Sequence, residues 1–397
     1  MAIEMLTEET MQQLLPLSPN DRKGFVQNFA ITAWEKNNHR GTIEAATGIG
    51  KTKIGVIAIA DQFKRDFDSL VYVVVPTKTL RDVDWPDEFR KWGYEDILPK
   101  VNFVLYTSLH KLKPPKDVDL MVMDEIHHYT LNSSFFHQTE KVYHILGLTA
   151  LLPKAEKSEE TGIKVALINS VAPTCFKVSL EDAIKLELVA DFEVKVIKFK
   201  LDAKTKNIKA GSVTKPFMST ELEYYKYLTK MIQKMVIQKK EGAKFAYLGK
   251  RTQFINNLPT KRRVAAEAMQ GLLKNGKRTL IFCGSIEQAE ALCPGQTYHS
   301  KTDDSKLIAF QNKEINYLGV VKSMNEGKNI DDLEQILIVQ LNSNELDVTQ
   351  RIGRTIRFRP GHKGLVGVLV AEDTSDEKWY ESAFGGFNQS RIKTYTL

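Results

Sequence analysis

The sequence predicts an α/β fold with two tandem parallel-sheet domains and a helical insert. Three observations support this prediction. Residues 70–75 (LVYVVV) form a short, continuous, β-branched run, which is typical of a strand buried on both faces. Runs of this kind alternate with segments of helical period through the first half of the chain. A second alternating series begins at residues 279–283 (TLIFC), after a long helical stretch.

The predicted elements of the first half alternate in the order that a doubly wound parallel sheet requires. Strands are predicted at residues 41–46, 70–75, 101–105, 120–123 and 145–148, and helices at 52–63, 77–92, 135–143 and 180–188. The charged run at 154–162 (KAEKSEETG) is predicted as a loop. Together these elements predict a first domain over residues 1–195.

Residues 196–397 are predicted as a second domain of the same class. An alternating run at 193–201 predicts a strand at the boundary. Residues 219–274 are mostly helical in period and rich in Lys and Arg. This composition favours either a nucleic-acid surface or a packing insert with solvated charge. Strands are then predicted at 279–283, 319–321, 335–339 and 365–370, the last of which is expected to be the final strand.

Composition narrows the class of protein. The chain has 397 residues, of which 42% are hydrophobic and 26% charged, as in globular proteins with real cores. No apolar run approaches the roughly 18 residues that span a bilayer, and the first residues lack a signal-peptide pattern, so we expect a cytoplasmic protein. The net charge of +7 favours a polyanionic partner. Cys175, Cys283 and Cys293 form no CxxC pair, which predicts free thiols and argues against structural zinc.

A phosphate-binding loop is predicted at residues 45–52 (AATGIGKT). The run matches the G-x-x-x-x-G-K-[ST] pattern except that Ala45 replaces the first glycine. Glycines let backbone N–H groups approach phosphate oxygens at the start of the next helix. Lys51 would contact the β- and γ-phosphates of ATP, and the hydroxyl of Thr52 would bind Mg²⁺. The predicted nucleotide-binding residues of this loop are Thr47, Gly48, Ile49, Gly50, Lys51 and Thr52.

An acidic pair follows the apolar run at residues 120–123 (LMVM). A carboxylate at the end of a strand beside the phosphate loop can hold the hydrated Mg²⁺, which is the role predicted for Asp124. Glu125 would then accept a proton from the attacking water. His127 and His128 are not expected to bind metal, because no cysteine completes a zinc set. His127 is predicted instead as a polar link between the hydrolysis site and the second half of the chain.

A second catalytic contribution is predicted at residues 350–357 (QRIGRTIR). Arginines spaced by three lie on one face of a helix, so Arg354 and Arg357 could reach the γ-phosphate together. An arginine finger of this kind accelerates hydrolysis by about 10³–10⁵. Gln350 is a candidate catalytic residue in the same motif. The alternative is an exposed basic helix that binds nucleic acid.

These motifs, in this order, resemble those of the superfamily 2 helicases and translocases over roughly residues 20–375. The sequence DEIH resembles their DEAH box. The further matches are residues 45–52 with motif I, 74–80 (VVPTKTL) with motif Ia, 147–153 (GLTALLP) with motif III, 280–285 (LIFCGS) with motif IV, 323–330 (SMNEGKNI) with motif V and 350–357 with motif VI. Within the superfamily, the chain resembles most the XPB and phage UvsW types and the motor subunits of restriction enzymes.

The resemblance implies two RecA-like domains of the P-loop NTPase class with ATP and Mg²⁺ between them. Gln27 would contact adenine, Thr149 would couple hydrolysis to movement, and Gly327 and Asn329 would lie near the ribose and the γ-phosphate. The implied partner is single-stranded, forked or branched DNA, bound by a monomer through phosphate contacts that do not read sequence. The implied nucleic-acid-binding residues are Pro76, Thr77, Lys78, Thr107, Ser108, Gly284, Ser285, Lys322 and Ser323.

The sequence leaves the biological role open between several alternatives. The leading hypothesis is an ATP-dependent DNA helicase or branch-migrating translocase of replication, repair or recombination, and the compact size suggests a viral or mobile-element source. An RNA helicase, a restriction-complex motor and a binding subunit with an inactive motor fold are the alternatives. Asn329 stands where Asp is more usual, and Leu151 replaces a Thr in motif III, so coupling is less well supported than hydrolysis.

Overall fold

Two compact units, dividing at Asp191, make up the computed structural model. Each unit contains one seven-stranded sheet within the described residues, and this confirms the predicted α/β class with two tandem parallel sheets. The predicted boundary at residue 195 stays a prediction. No helix among these residues is long and apolar enough to cross a membrane. The structure describes residues 3–211, 214–321, 330, 333–341, 345–353 and 363–397.

The sheet of the first unit is parallel throughout, with the strand order β1-β7-β2-β6-β5-β3-β4. Its strands are β1 (Glu4–Met5), β2 (Arg40–Ala45), β3 (Val71–Val75), β4 (Val101–Leu105), β5 (Val118–Asp124), β6 (Val142–Thr149) and β7 (Thr174–Val178). Its helices are α1 (Glu8–Leu14), α2 (Pro19–Lys36), α3 (Lys51–Arg65), α4 (Trp85–Lys91), α5 (Tyr106–Leu109), α6 (Leu131–Thr139), α7 (Glu159–Val171) and α8 (Leu180–Lys185).

The register of this sheet brings the predicted site together. Strands β2, β6 and β5 are neighbours, with Glu44 opposite Thr149 and Asp124 opposite Leu148. All five residues of β3 are buried, as expected for a strand covered on both faces. Because parallel strands end at the same edge, the loop after β2, the acidic pair at the end of β5 and the end of β6 lie side by side.

The second unit contains its own seven-stranded sheet, with the strand order β12-β13-β11-β14-β15-β8-β16. Its strands are β8 (Asp191–Phe199), β9 (Ile208–Gly211), β10 (Pro216–Ser219), β11 (Thr279–Cys283), β12 (Thr297–Tyr298), β13 (Tyr317–Val321), β14 (Gln335–Ile338), β15 (Lys363–Ala371) and β16 (Ile392–Thr396). Its helices are α9 (Glu221–Ile237), α10 (Glu241–Asn256), α11 (Pro259–Leu273), α12 (Ile286–Leu292), α13 (Ser305–Gln311), α14 (Glu345–Gly353) and α15 (Ser375–Phe384).

Pairing in the second sheet is parallel from β12 through β15, and β8 pairs parallel with β16. Strands β9 and β10 form a separate antiparallel hairpin. The basic region predicted as helical folds into α9, α10 and α11, which confirms that prediction. Helices α9 and α10 form an antiparallel pair joined by the short turn at residues 238–240.

Three predictions of local structure were wrong. The predicted helix at 135–143 ends at Thr139, because Val142 and Tyr143 already belong to β6. The charged run at 154–162 is not all loop, since the Ser158 side chain caps α7 by accepting from the backbone N–H of Thr161. The strand at 365–370 is not the last one. Strand β16 follows it at the sheet edge, where its mostly exposed residues carry no apolar pattern.

Candidate nucleotide site

The turn from β2 to α3 has the backbone of a phosphate-binding loop. Gly48 and Gly50 have φ of 101° and 89°, a region that glycine adopts without strain. A Cβ on Gly48 would lie 2.7 Å from Val189 Cγ1, and one on Gly50 would lie 2.6 Å from Gln27 Nε2. Gly50 is the N-cap of α3 and supplies no side-chain hydrogen bond, so the first-turn N–H groups of the helix remain available to an anion.

Gln27 supports this loop from α2. Its buried amide donates a hydrogen bond of 2.7 Å to the carbonyl oxygen of Ile49. Lys51 is half-buried, and its Nζ lies 3.3 Å from the carbonyl oxygen of Ala45. The structure therefore places Gln27 against the loop, as a residue that holds its backbone. The predicted adenine contact of Gln27 stays a prediction.

The carboxylate of Asp124 is oriented by two donors. Oδ2 accepts a hydrogen bond of 2.8 Å from Trp85 Nε1, and Oδ1 accepts one of 3.0 Å from the backbone N–H of Glu125. The Tyr106 hydroxyl donates to the backbone carbonyl of Asp124 at 3.0 Å. Neither Trp85 nor Tyr106 was predicted as a site residue. Trp85 lies in a charged segment (residues 80–92, LRDVDWPDEFRKW) and Tyr106 directly follows an apolar run, so no local pattern indicates that either donates to Asp124.

Glu125 follows in a left-handed conformation with φ of 48°, which is uncommon outside glycine. Its Oε2 is buried, makes no hydrogen bond among the described residues and lies 3.3 Å from His127 Nδ1. Strained backbone with an unsatisfied buried oxygen is a combination that occurs at functional sites. This oxygen can accept a hydrogen bond from a water molecule.

The two carboxyls have opposite tendencies to ionise. Burial, together with the neighbouring Glu125, raises the pKa of Asp124. Burial also acts to raise the pKa of Glu125, but Lys51 and His127 outweigh it and lower that pKa. Glu125 therefore ionises more readily than Asp124. A divalent cation beside Asp124 would favour its ionised form, because a bound cation reverses the local effect of burial.

His127 connects the acidic pair to the end of β6. Its Nδ1 lies 3.1 Å from Thr149 Oγ1, and both residues are buried. The Thr149 hydroxyl in turn donates to the carbonyl oxygen of Leu151 at 3.1 Å. This contact joins DEIH to GLTALLP within the first unit. The predicted roles of His127 as a link to the second half and of Thr149 in coupling stay predictions.

The residues of this edge fit ATP with Mg²⁺. Thr47 Oγ1, like Glu125 Oε2, is buried without a hydrogen-bond partner in the described chain. Magnesium is usually held by one or two protein oxygens together with phosphate oxygens and water. Thr52 and Asp124 supply oxygens of that kind, and no group of three or more His, Cys, Asp or Glu residues that could hold a metal occurs among the described residues.

The predicted nucleic-acid residues fall at two sheet edges. Pro76, Thr77 and Lys78 follow β3, and Thr107 and Ser108 lie in α5, directly after the neighbouring β4. All five are exposed or half-buried. In the second unit, Gly284 and Ser285 follow β11 and are half-buried. Their contacts with nucleic acid stay predictions.

Part of motif V and motif VI lies outside the described residues. This applies to Lys322, Ser323, Gly327, Asn329, Arg354 and Arg357, and to the side chain of Gln350 in α14. The neighbouring Arg351 is described and buried. Its Nη1 donates to the carbonyl oxygen of Gln340 at 3.0 Å, and its guanidinium lies 5.1 Å from the ring centroid of Phe282. This arginine has a packing role that sequence spacing did not distinguish.

Comparison with known proteins identifies domains in both halves. Residues 23–154 match the model of the type III restriction enzyme res subunit, and residues 261–359 match that of the helicase conserved C-terminal domain. The putative ATP-dependent DNA helicase fml2 of Schizosaccharomyces pombe is 31% identical over 105 residues. That alignment covers 26% of this chain and 12% of the relative, so the chain spans a small part of it.

Two solved structures share the fold. The ATP-dependent type ISP restriction-modification enzyme LlaBIII bound to DNA superimposes with a TM-score of 0.58 at 14% identity, over 94% of this chain and 31% of that one. The Pyrococcus furiosus Hef helicase domain superimposes with a TM-score of 0.52 at 15% identity, over 89% of this chain and 97% of that one. Both likenesses support the tandem RecA-like architecture.

Proposed function

Because the chain belongs to the superfamily 2 helicases, we propose that it is an ATP-dependent DNA helicase or translocase. One observation carries this proposal more than any other. The uncapped loop after β2 and the Asp124–Glu125 pair after β5 occupy one edge of the first sheet, and the pair includes an unsatisfied buried oxygen. Phosphate-binding donors and an ionised glutamate at one edge are what ATP hydrolysis requires.

Each nucleotide-site residue of the first unit has a specific role in this proposal. Lys51 contacts the β- and γ-phosphates, while Thr52 and Asp124 hold Mg²⁺. When bound, Mg²⁺ offsets charge that develops on the β- and γ-phosphate oxygens. Glu125 orients the attacking water and accepts its proton. Trp85 keeps the Asp124 carboxylate in one orientation through its indole N–H.

The remaining nucleotide contacts are proposed from the family resemblance. Gln27 contacts adenine, and Thr149 transmits hydrolysis to movement through its contact with His127. The loop backbone and the residues of motifs V and VI complete the set. These residues are Thr47, Gly48, Ile49, Gly50, Gly327, Asn329, Gln350, Arg354 and Arg357, of which the two arginines act as fingers.

DNA is proposed to contact residues at a sheet edge of each unit. The phosphate contacts in this proposal hold the strand without reading its sequence. The net charge of +7 and the basic α9–α10 pair support a polyanionic partner. The proposed contact residues are Pro76, Thr77, Lys78, Thr107, Ser108, Gly284, Ser285, Lys322 and Ser323.

The test is ATP hydrolysis by purified protein, measured with and without single-stranded DNA. Lys51→Ala and Glu125→Gln should each lower the stimulated rate by about 10² or more, because each removes stabilisation of the transition state. Lys53→Ala is the matched control. Lys53 lies two residues further along α3, where its Nζ lies 3.8 Å from the centroid of the Trp92 ring, and its loss should leave hydrolysis within about two-fold of wild type.

Hydrolysis that survives both Lys51→Ala and Glu125→Gln would sink this mechanism. Wild-type protein that binds DNA but never hydrolyses ATP would favour a binding subunit with an inactive motor fold. Stimulation by single-stranded RNA above that by DNA of the same sequence would favour an RNA helicase.

A restriction-complex motor is the second candidate function. Two observations favour it: the match of residues 23–154 to the res-subunit model and the likeness to a type ISP restriction-modification enzyme. In that role the chain would translocate on duplex DNA and work with a nuclease. Displacement of a triplex-forming oligonucleotide from duplex DNA measures translocation without strand separation. Displacement without unwinding would favour this candidate over a helicase.

A further inference from the structure

The α9–α10 pair is anchored at one end only. Tyr225 and Leu228 in α9, and Ile255 in α10, are buried in the core of the second unit. Near this anchored end, Arg251 Nη1 donates to Thr229 Oγ1 at 3.4 Å, which ties the two helices together. The other end is the hairpin tip, which we define as residues 234–245. The pair is therefore a supported arm with a free end.

The hairpin tip presents apolar side chains to solvent. Ile237 is 81% exposed, Phe245 is 63% exposed and Val236 is 51% exposed. Within the tip, Met235 alone among the described residues is buried. Three large apolar side chains at one exposed turn form a patch of the kind that marks an interaction site.

The surroundings of this apolar tip are strongly basic. From residue 226 to residue 251 the chain has eight Lys or Arg and a single acid, Glu241, which pairs with Lys244 at 2.9 Å. Lys226, Lys230 and Lys234 are spaced by four and exposed, so they form one stripe along α9. In the described part of the chain these three lysines have no acidic partner. Unpaired, regularly spaced lysines fit a phosphate backbone.

The turn itself has a lysine where a glycine would be less strained. Lys239 has φ of 53°. Its N–H bonds to the carbonyl oxygen of Val236, and the N–H of Lys240 bonds to that of Met235, each at 3.0 Å. This is the Schellman arrangement, in which glycine is usual at the left-handed position. The positive charge at the very end of the arm therefore comes with a conformational cost that glycine would not have.

We propose that the hairpin tip is a wedge for a junction between single- and double-stranded DNA. The lysine stripe of α9 follows the phosphates, and Phe245 with Ile237 packs against the terminal base pair. An aromatic ring stacks on any base, so the contact needs no sequence. A membrane helix would carry apolar residues along its whole length, whereas here they are confined to the end of a basic arm.

This inference rests on the proposed function for its DNA partner, and it adds strand separation to ATP-driven movement. It is tested first without ATP, with full-length protein and a forked DNA. The fork carries, at its last base pair, a fluorescent adenine analogue that brightens on unstacking. Wild-type protein should raise the fluorescence at the junction and leave it unchanged when the analogue lies well inside the duplex.

The decisive variants are Phe245→Ser and Ile237→Ser, alone and combined. We expect Phe245→Ser to abolish the fluorescence rise and weaken fork binding about 5- to 150-fold, the range for loss of one aromatic–base stack. Phe67→Ser is the matched control. Phe67 is 62% exposed, and Lys100 Nζ lies 3.1 Å from its ring centroid, so it is an equally exposed phenylalanine beside a lysine in the other unit. This control should behave as wild type.

The variant Lys239→Gly removes the positive charge at the turn without destabilising the turn, so it tests whether that charge contributes to DNA binding. Glycine relieves the left-handed strain, so the arm should be at least as stable as in wild type. Binding of the fork should nevertheless weaken, and the slope of log K against log salt should become less negative by about 0.7–0.9, the value for one lost phosphate contact. An unchanged salt slope would overturn a DNA contact at Lys239.

Measuring the rate of DNA unwinding then tests whether the hairpin tip contributes to ATP-driven strand separation. The combined Phe245→Ser and Ile237→Ser protein should lose at least about ten-fold in unwinding rate, as expected when a contact of about 1.4 kcal/mol is removed. Its hydrolysis stimulated by single-stranded DNA should stay within about two-fold of wild type, because single-stranded DNA has no terminal base pair for the tip to contact and the tip has none of the residues proposed to bind ATP.

The outcomes distinguish the two proposals. A tip variant that brightens the fork and unwinds it like wild type overturns the wedge, while the motor proposal stands. Tip-dependent brightening without any DNA-stimulated hydrolysis supports the wedge and overturns the motor. Fork binding that no tip variant changes, together with loss of a protein partner from the variants, assigns the tip to protein docking and overturns the wedge.

Discussion

Each unit has a turn in which a strand ends and a helix begins, and the two turns differ in whether side chains of the protein cap the N–H groups at the start of the helix. In the first unit, the turn from β2 to α3 has left-handed Gly48 and Gly50 and no side-chain cap. In the second unit, the turn from β11 to α12 is closed on itself. Ser285 Oγ accepts from the N–H of Gln288 at 3.1 Å, and Gln288 Oε1 accepts from the N–H of Gly284 at 2.7 Å.

This difference separates a turn whose N–H groups can bind the phosphates of a nucleotide from a turn whose N–H groups are already satisfied within the protein. Helix starts have unsatisfied N–H groups that must find acceptors. Where side chains of the protein supply those acceptors, as at Ser285 and Gln288, the two N–H groups concerned are already hydrogen-bonded. Where none does, as at Gly50, the donors are open to an anion.

One lysine in each unit shows the same contrast between a group that is open to a ligand and a group that is satisfied within the protein. Lys51 is half-buried and bonds only weakly, at 3.3 Å, to the carbonyl oxygen of Ala45. Lys261 is fully buried, with Nζ at 2.6 Å from Asp376 Oδ2 and 2.7 Å from Gln340 Oε1. Burial lowers the pKa of Lys261, which its partners partly oppose. The charge of Lys261 is neutralised within the fold, whereas that of Lys51 is available to a ligand.

The largest expected effect tests the buried pair of the second unit. Asp376→Ala leaves the Lys261 charge without its carboxylate, and we expect a loss of about 3–5 kcal/mol in the free energy of unfolding. Denaturant unfolding measures it. Glu267→Ala is the control, because it breaks the exposed Arg263–Glu267 pair and should cost less than about 1 kcal/mol. Equal losses for the two variants would refute the contrast between buried and exposed pairs.

Lowering the pH should decrease the free energy of unfolding of the first unit, because His137 is buried in its neutral form. Burial, with a smaller effect of Arg40, lowers the pKa of His137 to about 4. The unfolded chain binds the proton at a pKa of about 6.5, so stability is complete above that value and is lost as pH falls towards 4. Between pH 7 and pH 5 the loss should be about 2 kcal/mol. The comparison to make is unfolding at both pH values, for wild type and His137→Gln.

His137→Gln should have a smaller difference between the two pH values than wild type, because glutamine does not titrate. A variant that lost stability with acid as steeply as wild type would show that the pH dependence comes from another group. His137 Nδ1 lies 2.9 Å from the Tyr129 hydroxyl, so some loss at pH 7 is expected in the variant as well.

Substituting alanine for Gly50 or for Gly284 should affect two different properties, nucleotide affinity in the first variant and protein stability in the second. Gly50→Ala forces a side chain into the left-handed region, 2.6 Å from Gln27 Nε2, and should weaken nucleotide binding by about ten-fold or more. Gly284→Ala would bring a Cβ to 2.7 Å from Gln340 Cγ and should lower stability with nucleotide affinity unchanged. Titration with a fluorescent ATP analogue distinguishes them. Reduced affinity in Gly284→Ala alone would reverse the assignment.

The smallest expected effect concerns the cap of α12. Ser285→Ala removes the acceptor for the Gln288 N–H and should cost about 1 kcal/mol in unfolding free energy. Nucleotide affinity should stay at the wild-type value. Conversely, since α3 has no side-chain cap to lose, saturating ATP with Mg²⁺ should stabilise the first unit in thermal melts. An absence of ligand stabilisation would contradict an open loop.

Much of this architecture could be predicted because the relevant signals are local. Strands such as β3 and β14 are short apolar runs buried on both faces, and that burial dictates their composition. The phosphate loop needs glycines at fixed spacing, so a pattern of eight residues identified it. Strand β16 was missed because it is mostly exposed and polar, and its strand conformation depends on pairing with β8, whose paired residues lie 198 positions earlier.

The sequence by itself determined the two-sheet class, the glycine loop, the acidic pair and the basic character of α9 and α10. Each of these depends on side-chain chemistry at short spacing. Only the tertiary structure decided that Trp85 orients Asp124, that Lys261 is neutralised by Asp376, and that Ile237 and Phe245 are exposed at the end of an arm. Burial and pairing between distant segments set these properties, because whether a donor, a charge or an apolar side chain is satisfied depends on which groups surround it after folding.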